Sequence, residues 1–332
     1  MLSSAKSTSS SFLVWHQGAL GDFLLALPVF QGLHRLHPNA VIHFCTKASH
    51  YRLLATEPYP GELYPAESSA LALLFHDELW SATRLPVHFH HVRGAFVMGQ
   101  AQSRVLADRL GHLLQKPVVW IQSFPGVDQC RPVTDFLLDQ LKPHGWDLPY
   151  APPMLKALPE ESRFAKEWLS ALGATWQAKP VMIHPGSGGR SKIWPLRRWY
   201  ALLRWLLARF SHPILAVFGP ADAHLKPFAR EVQKLGVTIM EDMPLERLAA
   251  FLAESALYIG NDSGVSHLAA AMGIPTIALF GPTRPEIWAP RGTHVEIVKS
   301  CWSDTENLIW PSYAAIEEID MPLLTLVNKT LS

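Results

Sequence analysis

Residues 258–275 read YIGNDSGVSHLAAAMGIP. A short buried strand is predicted to end near Gly260, and Asp262 and Ser263 stand where the N-cap of a following helix belongs. Gly273 is placed to end that helix, because glycine is the residue that most often follows a helix C-terminus. A strand, a tight loop and a helix in this order are typical of a βαβ unit in a parallel sheet.

The same alternation of short apolar runs and amphipathic stretches continues along the chain in both directions. Short buried strands are predicted at Phe12–His16, Val41–Cys45, Val118–Ile121, Pro180–His184, Ile214–Phe218, Leu257–Gly260 and Thr276–Phe280. Helices are predicted at Glu160–Leu172, Trp199–Phe210, Ala221–Leu235 and Leu245–Ser255. The fold class is therefore α/β, with doubly wound parallel sheets that carry helices on both faces.

The length and a proline-rich stretch predict two domains. The chain has 332 residues, and a domain takes roughly 150. Residues 142–160 contain five prolines, each of which removes a backbone donor, so this stretch is predicted to be a linker. We therefore expect one domain over 11–155, a second over 156–312, and a final helix within 313–332. Residues 1–10 are expected to be a frayed polar tail.

Composition excludes several classes of protein. Hydrophobic residues make up 48% of the chain and the formal net charge is +1, which argues against a disordered chain and against a globally basic nucleic-acid binder. The three cysteines, Cys45, Cys130 and Cys301, lie far apart, as expected in a reducing compartment. No apolar run reaches membrane-spanning length and the polar start is not a secretory signal, so a cytoplasmic protein is expected.

The first predicted strand is followed by WHQGALGD at residues 15–22. Gly18 and Gly21 allow a tight turn and leave room for a ligand beside the main chain. Asp22 then lies at the start of a helix, where it is either a reactive carboxylate or a helix-stabilising acid. Pro28 predicts that this helix either kinks or begins later.

A second strand is followed by a loop rich in glycine and serine, within VMIHPGSGGRSKIWP at residues 181–195. Free amide groups in such a loop, together with Lys192 and Arg190, are typical of a phosphate-binding site. The loop lacks the Gly-Lys-Ser/Thr of a P-loop, and Ser191 replaces the third glycine of a dinucleotide fingerprint. A Walker-type NTPase and a Rossmann dehydrogenase are therefore disfavoured, and a plain glycine-rich turn remains the alternative.

The third loop has candidate groups for both an anion and a sugar. The amides of Ser263 and Gly264 would face an anion at the helix N-terminus, and Asp262 would accept hydrogen bonds from sugar hydroxyls. His267 either packs or contacts the ligand. Residues 280–285, FGPTRP, follow the next strand, where Thr283 either reaches a nucleotide or belongs to a structural turn.

These motifs together resemble the bacterial ADP-heptose:lipopolysaccharide heptosyltransferases, glycosyltransferase family 9. The resemblance lies in Leu20-Gly21-Asp22 with Leu27-Pro28, in Pro185-Gly186-Ser187 with Lys192-x-Trp194-Pro195, in Asp262-Ser263-Gly264-x-x-His267-Leu268-Ala269-Ala270-Ala271, and in Phe280-Gly281-Pro282-Thr283. The order and spacing agree with the family, whereas residues 46 to 175 match weakly.

The resemblance implies a GT-B fold, in which two facing Rossmann-like domains enclose an interdomain cleft. The first domain would bind the acceptor, the second would bind the nucleotide-sugar, and the C-terminal helix would pack back on the first. Family members are inverting and need no metal or other cofactor. By analogy Asp22 is the catalytic base, and Lys192 stabilises the departing diphosphate. The substrate-binding residues would be Gly18, Gly21, Gly186, Ser187, Asp222, Asp262, Ser263, Gly264, His267 and Thr283.

The implied partners are ADP-heptose as donor and a lipid-linked or lipopolysaccharide inner-core acceptor, with peripheral contact at the inner face of the inner membrane. Arginines of the first half either bind acidic groups of that acceptor or lie on the solvated surface: Arg84, Arg93, Arg104, Arg109 and Arg131. Asp222 stands near the place of a ribose-binding acid in the family. Another nucleotide-sugar or acceptor, and a binding protein without catalysis, remain the alternatives.

Overall fold

The computed structural model describes residues 11–126, 128–175, 177–302 and 319–332. Its contacts divide the chain into two units between Ala151 and Pro152, four residues before the predicted boundary. The predicted linker has one short 3-10 turn at Lys142–His144 and no helix or strand between that turn and Pro159. Prolines explain this irregular backbone, since each lacks an amide donor.

The first unit is built on a parallel sheet whose described strands follow the order β3-β2-β1-β4-β5. The strands are β1 (Ser11–His16), β2 (Val41–Thr46), β3 (Pro60–Pro65), β4 (Gly94–Gly99) and β5 (Val118–Gln122). The helices are α1 (Leu20–Leu36), α2 (Ala48–Arg52), α3 (Ser103–Leu114) and α4 (Val133–Asp139). Leu13, Trp15 and Val97 pack with Leu106 and Leu110 of α3 in one buried cluster.

The second unit is built on a parallel sheet whose described strands follow the order β11-β10-β9-β6-β7-β8. The strands are β6 (Val181–His184), β7 (Ile214–Phe218), β8 (Thr238–Glu241), β9 (Leu257–Asn261), β10 (Thr276–Phe280) and β11 (Val295–Lys299). The helices are α5 (Pro159–Ala171), α6 (Leu196–Arg209), α7 (Lys226–Gln233), α8 (Leu245–Ala253), α9 (Gly264–Ala271), α10 (Pro285–Trp288) and α11 (Met321–Leu331).

All seven predicted strands are confirmed to within one residue at each end. The sequence prediction missed β3, β4, β8 and β11. Strands β3, β8 and β11 lie at sheet edges and keep partly exposed side chains, so they lack a continuous apolar run. Strand β4 begins and ends with glycine, a residue that usually indicates a turn.

The predicted helix at Ala221–Leu235 is a 3-10 turn at Pro220–Leu225 followed by α7. Pro227 explains the break, because it occupies the first turn of α7 and has no amide to continue a preceding helix. Helix α1 begins at Leu20 and continues past Pro28, so the later start considered for this helix is excluded.

The C-terminal helix was predicted over 313–331, of which residues 313–318 lie outside the described part of the chain. Its described part, α11, packs in the second unit, where Leu323 and Val327 are fully buried in the cluster that contains Leu202 and Ile214. Arg209 of α6 also donates to the Asn328 side chain at 2.9 Å. The apolar face of α11 is therefore used within the second unit, unlike the packing on the first domain that the resemblance implied.

Within the described ranges, none of the helices combines the length and the apolar character required to cross a bilayer.

Candidate functional site

In each sheet, successive strands of the chain are added first toward one edge and then, from one point on, toward the opposite edge. In the first sheet this point lies between β1 and β4, and in the second it lies between β6 and β9. Loops that leave neighbouring strands at such a point diverge to opposite faces of the sheet, so a crevice opens at the carboxyl ends of the strands. The loops singled out in the sequence follow β1, β6 and β9, and they therefore lie at these two crevices.

A cavity of about 590 Å³ opens at the crevice of the first unit. It is lined by Gly18 and Asp22 after β1, Gln100 after β4 and Phe124 after β5, and Arg109 of α3 reaches it from the side. The Arg109 guanidinium donates to Asp77 at 2.8 Å and to the Leu74 carbonyl at 2.7 Å. Aromatic, amide and charged groups together make this cavity suitable for a polar ligand such as a sugar.

Asp22 lies both in the first turn of α1 and at the cavity of the first unit. It occupies the third residue of α1, and its Oδ2 accepts a hydrogen bond from the Ala19 amide at 3.0 Å. The same residue lines the cavity of the first unit. Gly21 lies beside it in the first turn of α1.

Gly18 is required by close packing between Asp22 and His16. A Cβ atom at position 18 would lie 2.9 Å from both the Asp22 carboxylate and the His16 ring. His16 is buried, and burial lowers its pKa to about 3, with the neighbouring His50 adding to the effect. The sequence analysis did not single out His16, although its position at the end of β1, next to the glycine turn, was a usable signal.

In the second unit, Asn261 holds the loop of residues 185–195 at both ends. Its Nδ2 donates to the Pro185 carbonyl at 2.7 Å, and its Oδ1 accepts from the Trp194 amide at 3.1 Å. Asn261 is the last residue of β9 and is fully buried. The sequence analysis missed this loop-positioning residue, because its partners lie about 70 residues away in the chain.

Lys192 and Asp262 form an ion pair, with Nζ 2.9 Å from Oδ2. The Asp262 carboxylate is nearly buried, whereas a third of the Lys192 side chain is exposed. His267 lies within the influence of both charges. Burial lowers its pKa to about 4, Asp262 opposes this shift, and Lys192 adds to it. The structure thus brings Lys192 of one sequence motif together with Asp262 and His267 of another.

The two serines predicted to bind the ligand make hydrogen bonds within the protein. The Ser187 hydroxyl donates to the Asp262 carbonyl at 2.8 Å. Ser263 is the N-cap of α9, but its side chain makes no capping bond and lies 3.1 Å from Nδ1 of His184. Gly264 is the first residue of α9, which leaves its amide in the unpaired first turn of that helix.

Asp222 is directed into the protein. Its Oδ2 lies 3.1 Å from Nε2 of His184 and accepts from the Gly219 amide at 2.8 Å. Burial alone would raise the pKa of this carboxyl, but the hydrogen bond and charge of His184, together with the Gly219 amide, lower it. A Cβ atom at Gly186 would overlap the same carboxylate. Asp222 also lines a small cavity beside Gly219 and Ala223, so its contact with a ribose stays a prediction.

Thr283 follows β10, with its hydroxyl buried and without a hydrogen-bond partner among the described residues. Lys299 donates to its carbonyl at 2.6 Å and to that of Gly281 at 2.8 Å. The Trp302 ring packs where a Gly281 side chain would lie, and its Nε1 donates to the Ser191 carbonyl at 2.9 Å. Trp302 therefore ties the loop after β10 to the loop that carries Lys192.

Comparison with known proteins identifies the family to which these loops belong. The family model for glycosyltransferase family 9 (heptosyltransferase) matches residues 134–308, which is more than half of the chain. The chain belongs to glycosyltransferase family 9. The family 9 match includes the loops that carry Lys192, Asp262 and Thr283, and it begins after the segment that carries Asp22.

Individual relatives agree with the family 9 assignment. Lipopolysaccharide heptosyltransferase 1 of Campylobacter coli is 35% identical over 116 residues, a third of either chain. A putative glycosyltransferase of Haemophilus influenzae is 32% identical over 36% of either chain. The chain thus matches only about a third of the length of these two curated relatives. Lipopolysaccharide heptosyltransferase 3 of Escherichia coli is 26% identical over 81% of this chain and 83% of its own.

Solved structures share the fold of this family 9 chain. The family 9 glycosyl transferase of Veillonella parvula superposes with a TM-score of 0.74, at 19% identity and with 97% of each chain covered. The Escherichia coli ADP-heptose lps heptosyltransferase II gives a TM-score of 0.70, at 16% identity, with 97% of this chain and 98% of that chain covered. The predicted GT-B fold class, with two parallel-sheet α/β domains, is confirmed.

Proposed function

We propose that this protein transfers heptose from ADP-heptose to a lipopolysaccharide inner-core acceptor, with inversion at the anomeric carbon and without a metal ion. The observation that carries the proposal is the crevice between β6 and β9, where Lys192, the Asp262 carboxylate and the start of α9 lie together. A cation beside the N-terminus of a helix is suited to a diphosphate. The heptosyltransferase relatives support ADP-heptose as the donor.

Lys192 and α9 stabilise the leaving group. As the bond between the anomeric carbon and the phosphate oxygen breaks, its electron pair remains on ADP, whose diphosphate gains negative charge. The Lys192 ammonium and the Gly264 amide meet that charge in a partly buried site, where electrostatic stabilisation is strong. Asp262 holds Lys192 in place at 2.9 Å and accepts hydrogen bonds from donor hydroxyls.

Asp22 is the general base. It removes the proton from the acceptor hydroxyl while the oxygen of that hydroxyl forms the new bond to the anomeric carbon. Its position in the cavity of the first unit supports this role, and the Ala19 amide fixes the carboxylate. We further propose a cytoplasmic location, with peripheral contact at the inner membrane face, because the proposed acceptor is a lipid.

Asp22→Asn tests this mechanism, because asparagine retains an acceptor for the Ala19 amide and removes the basic carboxylate. We expect transfer from ADP-heptose to fall by at least about a hundredfold, the range for loss of a general base. Binding of ADP-heptose, measured by calorimetry, should change little. The midpoint of thermal unfolding should shift by only a few degrees, since a helix-terminal charge contributes about 0.3–1 kcal/mol.

Asp108→Asn is the matched control, because Asp108 is an exposed residue of α3. It should retain wild-type transfer. If Asp22→Asn kept more than a third of the wild-type rate, Asp22 would be only a helix-stabilising acid. Transfer that persists in excess EDTA is expected as well, and complete loss in EDTA would contradict the metal-independent reaction.

The donor and the acceptor are tested separately from the base. Thermal unfolding with ADP, UDP, GDP and dTDP should show selective stabilisation by ADP, about 2.7 kcal/mol at a hundred times the dissociation constant. Stabilisation by another nucleotide would favour a related transferase with a different nucleotide-sugar. Binding of ADP-heptose without turnover on any inner-core acceptor would favour a binding protein without catalysis.

A further inference from the structure

Helices α6, α7 and α11 cover one face of the second sheet. Their buried side chains, such as Leu202, Phe228 and Leu323, share one apolar cluster with Val181 and Ile183 of β6. Alternate residues of a strand point to the same face of a sheet, so the three helices pack on the face to which Val181 and Ile183 point.

The outward surface of α6, α7 and α11, the basic face, carries an excess of positive charge. Helix α6 contains Arg197, Arg198, Arg204 and Arg209 without an acid, α7 contains Lys226 and Arg230 with Glu231, and α11 contains Lys329 without an acid. Helices α5, α8 and α9 add no side chain to the cluster. Of these, α5 and α8 together hold more acids than cations, and α9 holds neither. Because the formal net charge of the whole chain is only +1, the excess is a local asymmetry.

Several cations of the basic face are available to a partner. Four of them are exposed and make no ion pair with another described residue: Arg204, Lys226, Arg230 and Lys329. Two acids nearby are already engaged, since Glu231 lies 2.6 Å from Lys234 and Asp320 lies 3.9 Å from Arg198. Neighbouring cations repel one another, and an anionic surface would relieve that repulsion.

Two of these cations, Lys226 and Arg230, line an open groove of about 540 Å³ beside the edge strand β8. They lie four residues apart and therefore project from the same side of α7. Gln233 and Glu241 also line the groove. Two cations and an amide can donate hydrogen bonds to phosphate oxygens, and the Glu241 carboxylate can accept from a hydroxyl or an amine. The groove is therefore suited to a phosphorylated lipid headgroup.

Aromatic and apolar side chains lie among the cations. Arg204 is flanked on the surface of α6 by Tyr200 and Leu207, both half-buried, which lie four residues before it and three after it. Trp205 packs edge-on against Phe210, with ring centres 5.6 Å apart. Tyrosine and tryptophan are enriched where proteins contact the headgroup region of a bilayer. A nucleic-acid backbone would give Leu207 no apolar partner, so these side chains favour a bilayer.

The main apolar stripe of α6 is not available for insertion into a bilayer. Trp199, Leu202 and Leu206 are fully buried and belong to the cluster that covers the sheet. Contact with a bilayer would therefore be peripheral and would depend chiefly on charge, unlike that of an amphipathic helix that buries its apolar stripe in lipid. Salt should weaken such a contact.

We propose that the basic face binds the surface of a bilayer that contains anionic phospholipid, with a phosphorylated headgroup in the groove of Lys226 and Arg230. The inference rests on the proposed function, which places a lipid-linked acceptor at the membrane, and it assigns the surface and the lipid class that hold the protein there.

Cosedimentation of the full chain with vesicles tests the inference. The protein should bind vesicles of equal parts phosphatidylglycerol and phosphatidylcholine at least about tenfold more tightly than vesicles of phosphatidylcholine alone. Raising the ionic strength from about 0.05 M to about 0.5 M should weaken binding to the anionic vesicles at least about tenfold, because salt screens exposed charges.

A double variant, Arg204→Gln with Arg230→Gln, should bind the anionic vesicles about 25-fold more weakly, since each cation near an anionic surface contributes about fivefold. Arg204→Gln alone should lose about fivefold, and it keeps the test if the double variant does not fold. The matched control is Arg163→Gln with Lys166→Gln, which removes the same charge from exposed positions of α5. It should bind within about twofold of the wild type, because distant exposed charges are screened.

Separate outcomes overturn the inference and the proposed function. Equal binding of the wild type to both kinds of vesicle, wild-type binding by the variants of the basic face, or an equal loss in the α5 control would overturn the inference. Tighter binding of an RNA oligonucleotide than of anionic vesicles at the same salt would identify a nucleic acid as the partner and would also overturn it. Calorimetry with ADP-heptose in the absence of vesicles tests the proposed function alone. No binding of ADP-heptose by a protein that binds anionic vesicles as expected would refute the proposed function and leave the lipid contact standing.

Discussion

Substitution of Asn261 tests whether this residue holds the loop of residues 185–195 in the second unit. Asn261→Ala removes the hydrogen bonds at 2.7 Å and 3.1 Å that hold the Pro185 carbonyl and the Trp194 amide. Because Asn261 is fully buried, water cannot easily replace them. Each buried group left without a partner costs about 1–3 kcal/mol, so the free energy of unfolding should fall by about 2–5 kcal/mol.

Hydrogen exchange of peptides from β6 and β9, followed across a urea series, measures this change for the second unit alone. Asn328→Ala is the matched control, since the Asn328 side chain accepts a hydrogen bond from the Arg209 side chain at the surface. It should cost less than about 0.5 kcal/mol, as is usual for surface substitutions. If Asn261→Ala were no more destabilising than Asn328→Ala, the loop would not depend on Asn261.

Three further predictions concern single residues. The pKa of His16 is about 3 in the folded protein and 6.5 in the unfolded chain. The unfolded state therefore binds the extra proton first, and the stability of the wild-type protein falls with pH below about 6.5, by up to about 1.4 kcal/mol per pH unit from this residue. Urea unfolding at pH 7 and pH 5 should show a smaller loss for His16→Gln. Gly186→Ala should weaken ADP-heptose binding at least about tenfold in calorimetry, because the new methyl group displaces Asp222; unchanged binding would contradict this packing. Trp302→Phe keeps an aromatic ring over Gly281 and loses the hydrogen bond to the Ser191 carbonyl. The KM for ADP-heptose should therefore rise about threefold to tenfold while kcat changes less, and an unchanged KM would contradict the role of Trp302.

The core of each sheet was predictable from the sequence. Strands β7 and β10 have the predicted bounds, Ile214–Phe218 and Thr276–Phe280. A strand that is buried on both faces needs a continuous apolar run, and a run of that kind is visible in the sequence. Edge strands such as Pro60–Pro65 are half-exposed and contain polar residues or proline, so their local sequence does not distinguish them from loops.

The loops that carry the candidate site were also predicted, since glycine, serine and helix N-cap residues follow the strands directly. The contacts that these loops make with one another could be determined only from the tertiary structure. Strand β9 pairs with β6 rather than with its neighbour in sequence, β8, and this pairing places Asp262 beside Lys192 and Ser263 beside His184.

The sequence therefore determined the residue types, their order and the strand end at which each loop begins. Strand order and helix packing decided which side chains meet. Asp222 contacts His184, Asn261 spans a loop about 70 residues away, and α11 joins the second unit. These contacts form between segments that are distant in the chain and that pack together in the folded protein. The spacing of residues within one segment does not show which other segment it will pack against.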